Sequence, residues 1–313
     1  MPEPKHKIAF IFLDTDKHAS PFDMLLTMDL FPEAEIIKYE DVTGEDAEKI
    51  VHDAILPRGP EGAKYTKLFI NGRDFKKANE ILEKAKHSMI PPFEVSVIID
   101  PRGAYTTATA AVAKTLELSV AKQLGTLENK VVTILAGTGP VGQTAARLYA
   151  SEKAEVILTS RSLQKATSIV TRINEEFDIE RVRGVEAQTA EDVGEAIKNA
   201  DIVLSAGTAA TELLPLEVLK KHGKKCRIVA DINAVPPFGV EGLDSDSYGK
   251  ELLPNIYSIG ALAINKLKQK VEAGLIMKAV EEPRGVFDYR TAYEIAKKTI
   301  ASQKEEEKQL QLS

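Results

Sequence analysis

The 313-residue sequence contains a single cysteine, Cys226. One thiol cannot form an intramolecular disulfide, so packing must hold the fold, and a reducing, cytoplasmic compartment is expected. Histidine is scarce as well. His6, His18, His52, His87 and His222 show no HxH or HExxH spacing, so no protein-ligated metal is expected. Positive charge is not in excess: 41 Lys+Arg against 47 Asp+Glu leave a formal charge of -6. That argues against nucleic acid or an anionic membrane as partner. No apolar run approaches the ~18 residues of a membrane span. The opening MPEPKHKIAF passes from charge into a strand without a secretory h-region. A nucleophile elbow, a Cys–His pair, a paired-carboxylate signature and a P-loop are also missing. What remains is the balance of a soluble enzyme, 43% hydrophobic and 28% charged. The length suggests about two domains, each able to bury its own core.

The chain alternates short β-rich runs with amphipathic helices. KIAFIFLD is followed by SPFDMLLTMDLF, where Ser20 is a candidate N-cap and Pro21 takes the first helical position. AEIIKY, TKLFING and FEVSVIID continue the strands, and Thr43 opens a helix whose Ile50, Val51, Ala54 and Ile55 share one face. A long alanine-rich helix, TTATAAVAKTLELSVAKQL, then leads to the polar turn Gly125–Lys130, the best domain boundary. From there the cycle restarts with VVTILAG, AEVILTS, a weaker strand near RVRGVEA, ADIVLSAGT and CRIVADIN. Strands separated by helices of this length imply βαβ units and mainly parallel sheets. The expected fold class is therefore α/β, with two open α/β domains. After Gly260 the pattern turns helical, and this late helix is expected to return to the first domain. The expected division is 1–125 plus about 272–313 for one domain and 126–271 for a Rossmann-like dinucleotide-binding domain.

The strongest local signal is Gly137-Thr138-Gly139-Pro140-Val141-Gly142, between the strand VVTILA and the helix QTAARLYASEK. In that setting the glycines permit a tight turn, close approach to a pyrophosphate and close helix–strand packing. The helix N-terminus supplies N–H donors and positive partial charge for the phosphates. The next strand end selects the dinucleotide, because an NAD enzyme usually places a carboxylate on the ribose about 20 residues beyond the glycines. Here the strand ends in Ser160-Arg161-Ser162, with Lys165 one turn later and no carboxylate at that position. A guanidinium and hydroxyls there suit a 2′-phosphate, so NADP is expected over NAD, with NAD as second choice. Two further strand ends, Ser205-Ala206-Gly207 and Asp231-Ile232-Asn233-Ala234 before Pro236-Pro237, fall where a nicotinamide would lie. Hydride transfer needs bound partners in near-attack geometry, which shape and domain closure can supply.

Several longer segments resemble a known family. They are His18-Ala19-Ser20-Pro21-Phe22-Asp23, PPFEVSVIIDPRGAYTTATAAVA (Pro91 to Ala113), LAGTGPVG, LSAGTA, DINAVPPFGVEGLD (Asp231 to Asp244), IGALAINKLK (Ile259 to Lys268) and FDYRTAYEIA. In this order the chain resembles the bacterial NAD(P)-dependent methylene-tetrahydromethanopterin dehydrogenases over nearly its whole length. The resemblance implies an N-terminal pterin-binding domain, a central NADP domain, a cleft between them and a C-terminal helix returning to the first. It implies reversible dehydrogenation of methylene-tetrahydromethanopterin to the methenyl form during formaldehyde oxidation, and a homo-oligomer, a trimer. Cofactor subtype stays open, since Ser160-Arg161-Ser162 resembles the NADP-preferring kind and KHASPFD the dual-cofactor branch.

Under that resemblance the pterin side would use the loop Lys17, His18, Ser20, Pro21, Phe22 and Asp23, with Asn71-Gly72 and Thr106-Thr107. Asp23 suits the paired donors of an amino-pyrimidine edge, and equally suits an early helical carboxylate facing the macrodipole. Thr106 and Thr107 are also ordinary N-cap candidates. Lys268 stands where the family has its active-site lysine, between the basic neighbours Lys266 and Lys270. Alternatives are a methylene-tetrahydrofolate dehydrogenase, a shikimate-type dehydrogenase needing a Lys–Asp pair, and a non-enzymatic NADP sensor.

Overall fold

The structure is a computed structural model that describes residues 6–312. Its contacts divide the chain into two compact units. One runs up to Thr106 and adds Lys270–Ile295; the other is Thr107–Gln269 with the segment from Ala296 onward.

In chain order the first stretch contains β1 (Ala9–Asp14), α1 (Pro21–Leu30), β2 (Glu35–Tyr39), α2 (Gly44–Ile55) and α3 (Gly59–Ala63). It continues with β3 (Thr66–Asn71), α4 (Phe75–Ser88), β4 (Ser96–Ile99) and α5 (Ala104–Ala121). Next come β5 (Val131–Leu135), α6 (Pro140–Ser151), β6 (Glu155–Ser160), α7 (Leu163–Phe177), β7 (Val182–Glu186) and α8 (Ala190–Ile197). Then follow β8 (Ile202–Ser205), α9 (Leu216–His222), β9 (Ile228–Asp231), β10 (Tyr248–Leu253) and β11 (Ile256–Ile259). The chain ends with α10 (Ala261–Glu281), β12 (Gly285–Phe287) and α11 (Tyr289–Leu312).

The first unit carries a parallel five-stranded sheet in the order β12-β4-β3-β1-β2. This is the flavodoxin-like doubly wound order, whose direction of winding reverses between β1 and β3. β3 is buried at every position because helices cover both faces of a central parallel strand. Phe12 and Phe69 stack across β1 and β3 with centroids 4.8 Å apart. Local signals fix the helices: Ser20 caps α1 ahead of Pro21, and Thr43 with Asp46 forms a capping box on α2.

The second unit holds a seven-stranded sheet, β10-β11-β9-β8-β5-β6-β7. Its parallel part has the 3-2-1-4-5-6 order of a dinucleotide-binding sheet, with the reversal between β5 and β8. Leu135, Val203, Val229 and Cys226 share one core cluster there. Burial pushes the Cys226 thiol up to about 12, so it acts as a small apolar side chain.

Three features depart from the sequence reading. The antiparallel pair β10–β11 and the three-residue β12 were not anticipated. The division into units falls inside α5, α10 and α11, whereas the polar turn favoured by sequence lies at 125–130. Among the described residues no helix is long and apolar enough to cross a membrane.

Candidate functional site

In the second unit the three glycines after β5 do three different jobs. A Cβ on Gly137 would lie 2.8 Å from Leu158 Cγ, and one on Gly142 would lie 2.4 Å from the Gly137 carbonyl oxygen. Gly137 therefore lets the loop pack against β6, and Gly142 lets α6 close onto the loop. A Cβ on Gly139 would meet nothing within 4 Å. Gly139 is the N-cap of α6, no side chain caps that helix, and Pro140 follows at its start. The first turn of α6 therefore has no side-chain cap for its N–H groups, and the adjoining Gly139 is open, which suits an anion. Gln143 Nε2 donates to the Thr138 carbonyl at 2.8 Å and braces the loop beside Val141.

At the end of β6 the residues separate by role. Ser160 is buried, and its hydroxyl accepts from Ser162 N–H at 3.2 Å. Ser162 caps α7 by accepting from Lys165 N–H. Both hydroxyls thus serve the turn, leaving Arg161 and Lys165 as the exposed cations. The absence of a carboxylate expected here holds for β6 alone. The adjacent parallel strand β7 ends in Glu186, paired in register with Ser160. Gln188 Nε2 donates both to Glu186 Oε1 at 2.9 Å and to the Arg161 carbonyl at 3.2 Å.

The strand ends of β8 and β9 are joined. Ser205 is fully buried and Ala206 nearly so, which puts both beneath the loop surface. A Cβ on Gly207 would press on Leu213. Asp231 Oδ1 accepts from Asn233 N–H at 3.0 Å, and Oδ2 accepts from Val240 N–H at 3.2 Å. Burial raises the Asp231 carboxyl above its ordinary range, against those donors and the Ser205 hydroxyl. Asn233 Nδ2 reaches the Thr208 carbonyl at 3.3 Å, so one network carries both loops and leaves Ala234 exposed.

In the first unit the ends of β1, β3 and β4 hold a polar network. Asp14, almost fully buried, accepts from Asp16 N–H at 2.8 Å and Ser20 N–H at 3.2 Å. Its carboxyl is raised by burial, partly offset by those N–H donors. Asn71 Nδ2 donates to Asp23 Oδ2 at 2.5 Å, while Asn71 Oδ1 accepts from Gly72 N–H and Arg102 N–H. Gly72 has φ 114, and a Cβ there would lie 1.9 Å from Thr15 Oγ1, so only glycine fits.

Arg102 and Asp16 had no sequence signal of their own. Arg102 sits at φ 50 and ψ 38, and its Nε donates to Asp16 Oδ2 at 3.0 Å alongside a second bond from Nη2. Burial opposes ionisation of Asp16, but Arg73 N–H and the Arg102 fork together hold its carboxyl below the ordinary range. Thr106 faces inward: its hydroxyl donates to Asp100 Oδ2 at 2.6 Å, and Asp100 Oδ1 also accepts from Tyr105 N–H. Thr106 therefore helps start α5, with Asp100 as the organiser. Thr107 is half-buried, Lys17, His18, Pro21 and Phe22 are exposed, and Ser20 is half-buried at its cap.

On α10, Lys268 is half-buried whereas Lys266 and Lys270 are exposed. Elsewhere in the second unit, Glu191, Glu195 and His222 each place one ligand atom within 4.8 Å of the others. Both carboxylates are exposed, and each pairs with a lysine, Lys221 at 3.0 Å and Lys198 at 3.2 Å.

Comparison with known proteins accounts for both units. Residues 21–102 match the N-terminal domain of methylene-tetrahydromethanopterin dehydrogenase, and residues 117–238 match shikimate/quinate 5-dehydrogenase. Quinate dehydrogenase from Corynebacterium glutamicum in complex with NAD shares the fold, with TM-score 0.52 and 13% identity, covering 93% of this chain and 99% of that one. The NAD-dependent malic enzyme from Thermotoga maritima does so with TM-score 0.55 and 16% identity, covering 92% and 84%. Sequence relatives come from Methylorubrum extorquens. Bifunctional protein MdtA is 37% identical over 93% of this chain and 98% of its own length. NAD(P)-dependent methylenetetrahydromethanopterin dehydrogenase is 32% identical over 90% and 94%. Identity at this level over nearly the full length of both relatives means that the chain belongs to the methylene-tetrahydromethanopterin dehydrogenase family.

Proposed function

We propose that this protein catalyses the reversible, NADP-dependent dehydrogenation of methylene-tetrahydromethanopterin to methenyl-tetrahydromethanopterin by direct hydride transfer, in one-carbon metabolism. The observation that carries the cofactor half is the uncapped first turn of α6 behind the open Gly139. That turn would hold the pyrophosphate, Arg161 and Lys165 the 2′-phosphate, and Gly207, Asn233 and Ala234 the nicotinamide end. A nicotinamide bound there supplies the hydride acceptor.

The chain's own residues have little proton chemistry to do. The reacting carbon lies between two nitrogens, which stabilise the cation left when hydride departs. No proton leaves that carbon, so no side chain has to serve as general base. Asp231 keeps the Asn233 loop in place, and Asn71 would hold the Asp23 carboxylate in place to accept from the pterin's amino-pyrimidine edge. The reading includes a homo-oligomer, a trimer, which sedimentation of the purified protein tests.

The decisive assay follows NADP reduction by absorbance with methylene-tetrahydromethanopterin, with methylene-tetrahydrofolate, shikimate and quinate in parallel. Turnover on the methanopterin carrier is expected. Faster turnover on the folate carrier, or reduction of NADP by shikimate or quinate alone, would replace this substrate assignment.

A further inference from the structure

Cofactor choice is commonly read from the strand that carries the ribose-facing residue, here β6. The neighbouring strand matters too. β7 runs parallel to β6 with Ser160 opposite Glu186, and adjacent strands lie about 4.8 Å apart, so Glu186 ends level with the Arg161 turn. Ala187 N–H closes the pairing by donating to the Ser160 carbonyl at 2.8 Å.

The Glu186 carboxylate is exposed and could swing into water, yet it is tethered. Gln188 Nε2 holds its Oε1 at 2.9 Å and the Arg161 carbonyl at 3.2 Å with the same amide nitrogen. A neutral amide, and not a cation, therefore fixes this carboxylate beside the turn. The Arg161 guanidinium and the Lys165 ammonium make no ion pair or side-chain hydrogen bond among the described residues. The turn thus holds two unneutralised cations and one positioned anion, on two adjacent strands.

We propose that Glu186, tethered by Gln188, is a second specificity-determining residue that opposes Arg161 and Lys165 in the choice between NADP and NAD. This rests on the cofactor site proposed above. A ribose 2′-hydroxyl can donate to the Glu186 carboxylate, which favours NAD. A 2′-phosphate carries negative charge toward the same carboxylate and is repelled by it, so the attraction to Arg161 and Lys165 is partly cancelled. Glu186 sets how far the preference for NADP can go. All of these groups are exposed, so the discrimination must weaken with salt.

The test measures NADP and NAD dissociation constants by titration calorimetry, which suits a chain without tryptophan. Glu186→Gln keeps the shape and the contact with Gln188 but removes the charge. It is expected to raise the NADP-over-NAD affinity ratio about tenfold, equivalent to about 1.4 kcal/mol. NADP should tighten, NAD should weaken, and the gain should shrink at high salt. Gln188→Leu, which releases the carboxylate, should move the ratio in the same direction by less. Arg161→Ala should move it the opposite way. If Arg161→Ala still weakens NADP selectively while Glu186→Gln leaves the ratio unchanged, the role of Glu186 is overturned and the cofactor site stands. If the wild-type protein binds neither dinucleotide, both fall together.

Discussion

Asn71 and Asp23 are joined by a 2.5 Å hydrogen bond that ties the end of β3 to the first turn of α1 across 48 positions of chain. Both side chains are almost wholly buried. The remaining capacity of Asn71 is also committed, because its Oδ1 takes Gly72 N–H and Arg102 N–H. Asn71→Ala would strip partners from two backbone donors and one carboxylate, each costing about 1–3 kcal/mol when buried. The expected result is a melting temperature lower by several degrees and a raised KM for the pterin, with the NADP dissociation constant unchanged. A variant with wild-type stability and KM would show that water replaces the amide fully.

The nucleotide loop separates folding from binding at two glycines. Gly142→Ala drives a methyl group against the Gly137 carbonyl, a backbone atom that cannot yield. Overpacking of this kind costs about 3 kcal/mol, which should appear as a large drop in the midpoint of denaturant unfolding. Gly139 has φ -75, allowed for any residue, and open space beside it. Gly139→Ala should leave the midpoint unchanged but weaken NADP about tenfold by blocking close approach of the pyrophosphate. A Gly139→Ala protein that binds NADP with wild-type affinity would show that the open side of Gly139 is not where the ligand lies.

The alternation of strands and helices could be read from sequence because central parallel strands are buried on both faces. The apolar stretches LFI, IVL and IVA in β3, β8 and β9 are uninterrupted for that reason. Caps at Ser20 and Thr43 were equally legible, being local. The edges were not. β10, with YGKELL, is half exposed and polar, and β12 is three residues long, so neither carries enough apolar periodicity to stand out. The site divides along the same line. The glycine turn has a local signature, whereas Arg102 meets Asp16 across 86 positions and Glu186 meets Ser160 only through sheet register. Sequence spacing carries no trace of such pairings.

Lys67 gives the fold a predictable response to pH. It is almost fully buried near the N-terminal end of β3, with Nζ donating to the Lys64 carbonyl at 2.8 Å and Ser96 Oγ at 3.2 Å. Burial lowers its pKa from 10.5 to about 8. Below about 8 the ammonium is charged in both states, and the fold carries a constant cost. Between about 8 and 10.5 the unfolded chain keeps a proton that the native state has released, so this group makes stability rise with pH across that window. Lys67→Met should abolish that rise. At pH 7 it should also stabilise the protein by about 1–2 kcal/mol, allowing for residual hydration of the ammonium and the lost hydrogen bonds. Denaturant unfolding of both proteins at pH 7.5 and 9.5 measures the difference, and parallel pH dependences would refute it.

Lys268 is half-buried on α10 while its basic neighbours Lys266 and Lys270 face water. Its stem is thus more covered than those of its neighbours. In the proposed reaction, positive charge develops on the substrate as hydride leaves. A nearby ammonium would oppose that charge, so electrostatic assistance to oxidation cannot be its contribution. No proton is removed from the reacting carbon, which excludes a role as base in that step. What the ammonium can do is donate to an oxygen or nitrogen acceptor on the pterin and fix the tilt of the ring. Misplacing reacting atoms by about 1 Å costs on the order of a hundredfold in rate. Lys268→Ala is therefore expected to lower kcat about a hundredfold with little change in NADP affinity. Lys268→Arg, which retains a donor but shifts its position, should recover part of the loss. Single-turnover rates and calorimetric NADP constants for the three proteins distinguish the possibilities. A Lys268→Ala enzyme with wild-type kcat and pterin KM would mean that this lysine does not touch the substrate at all.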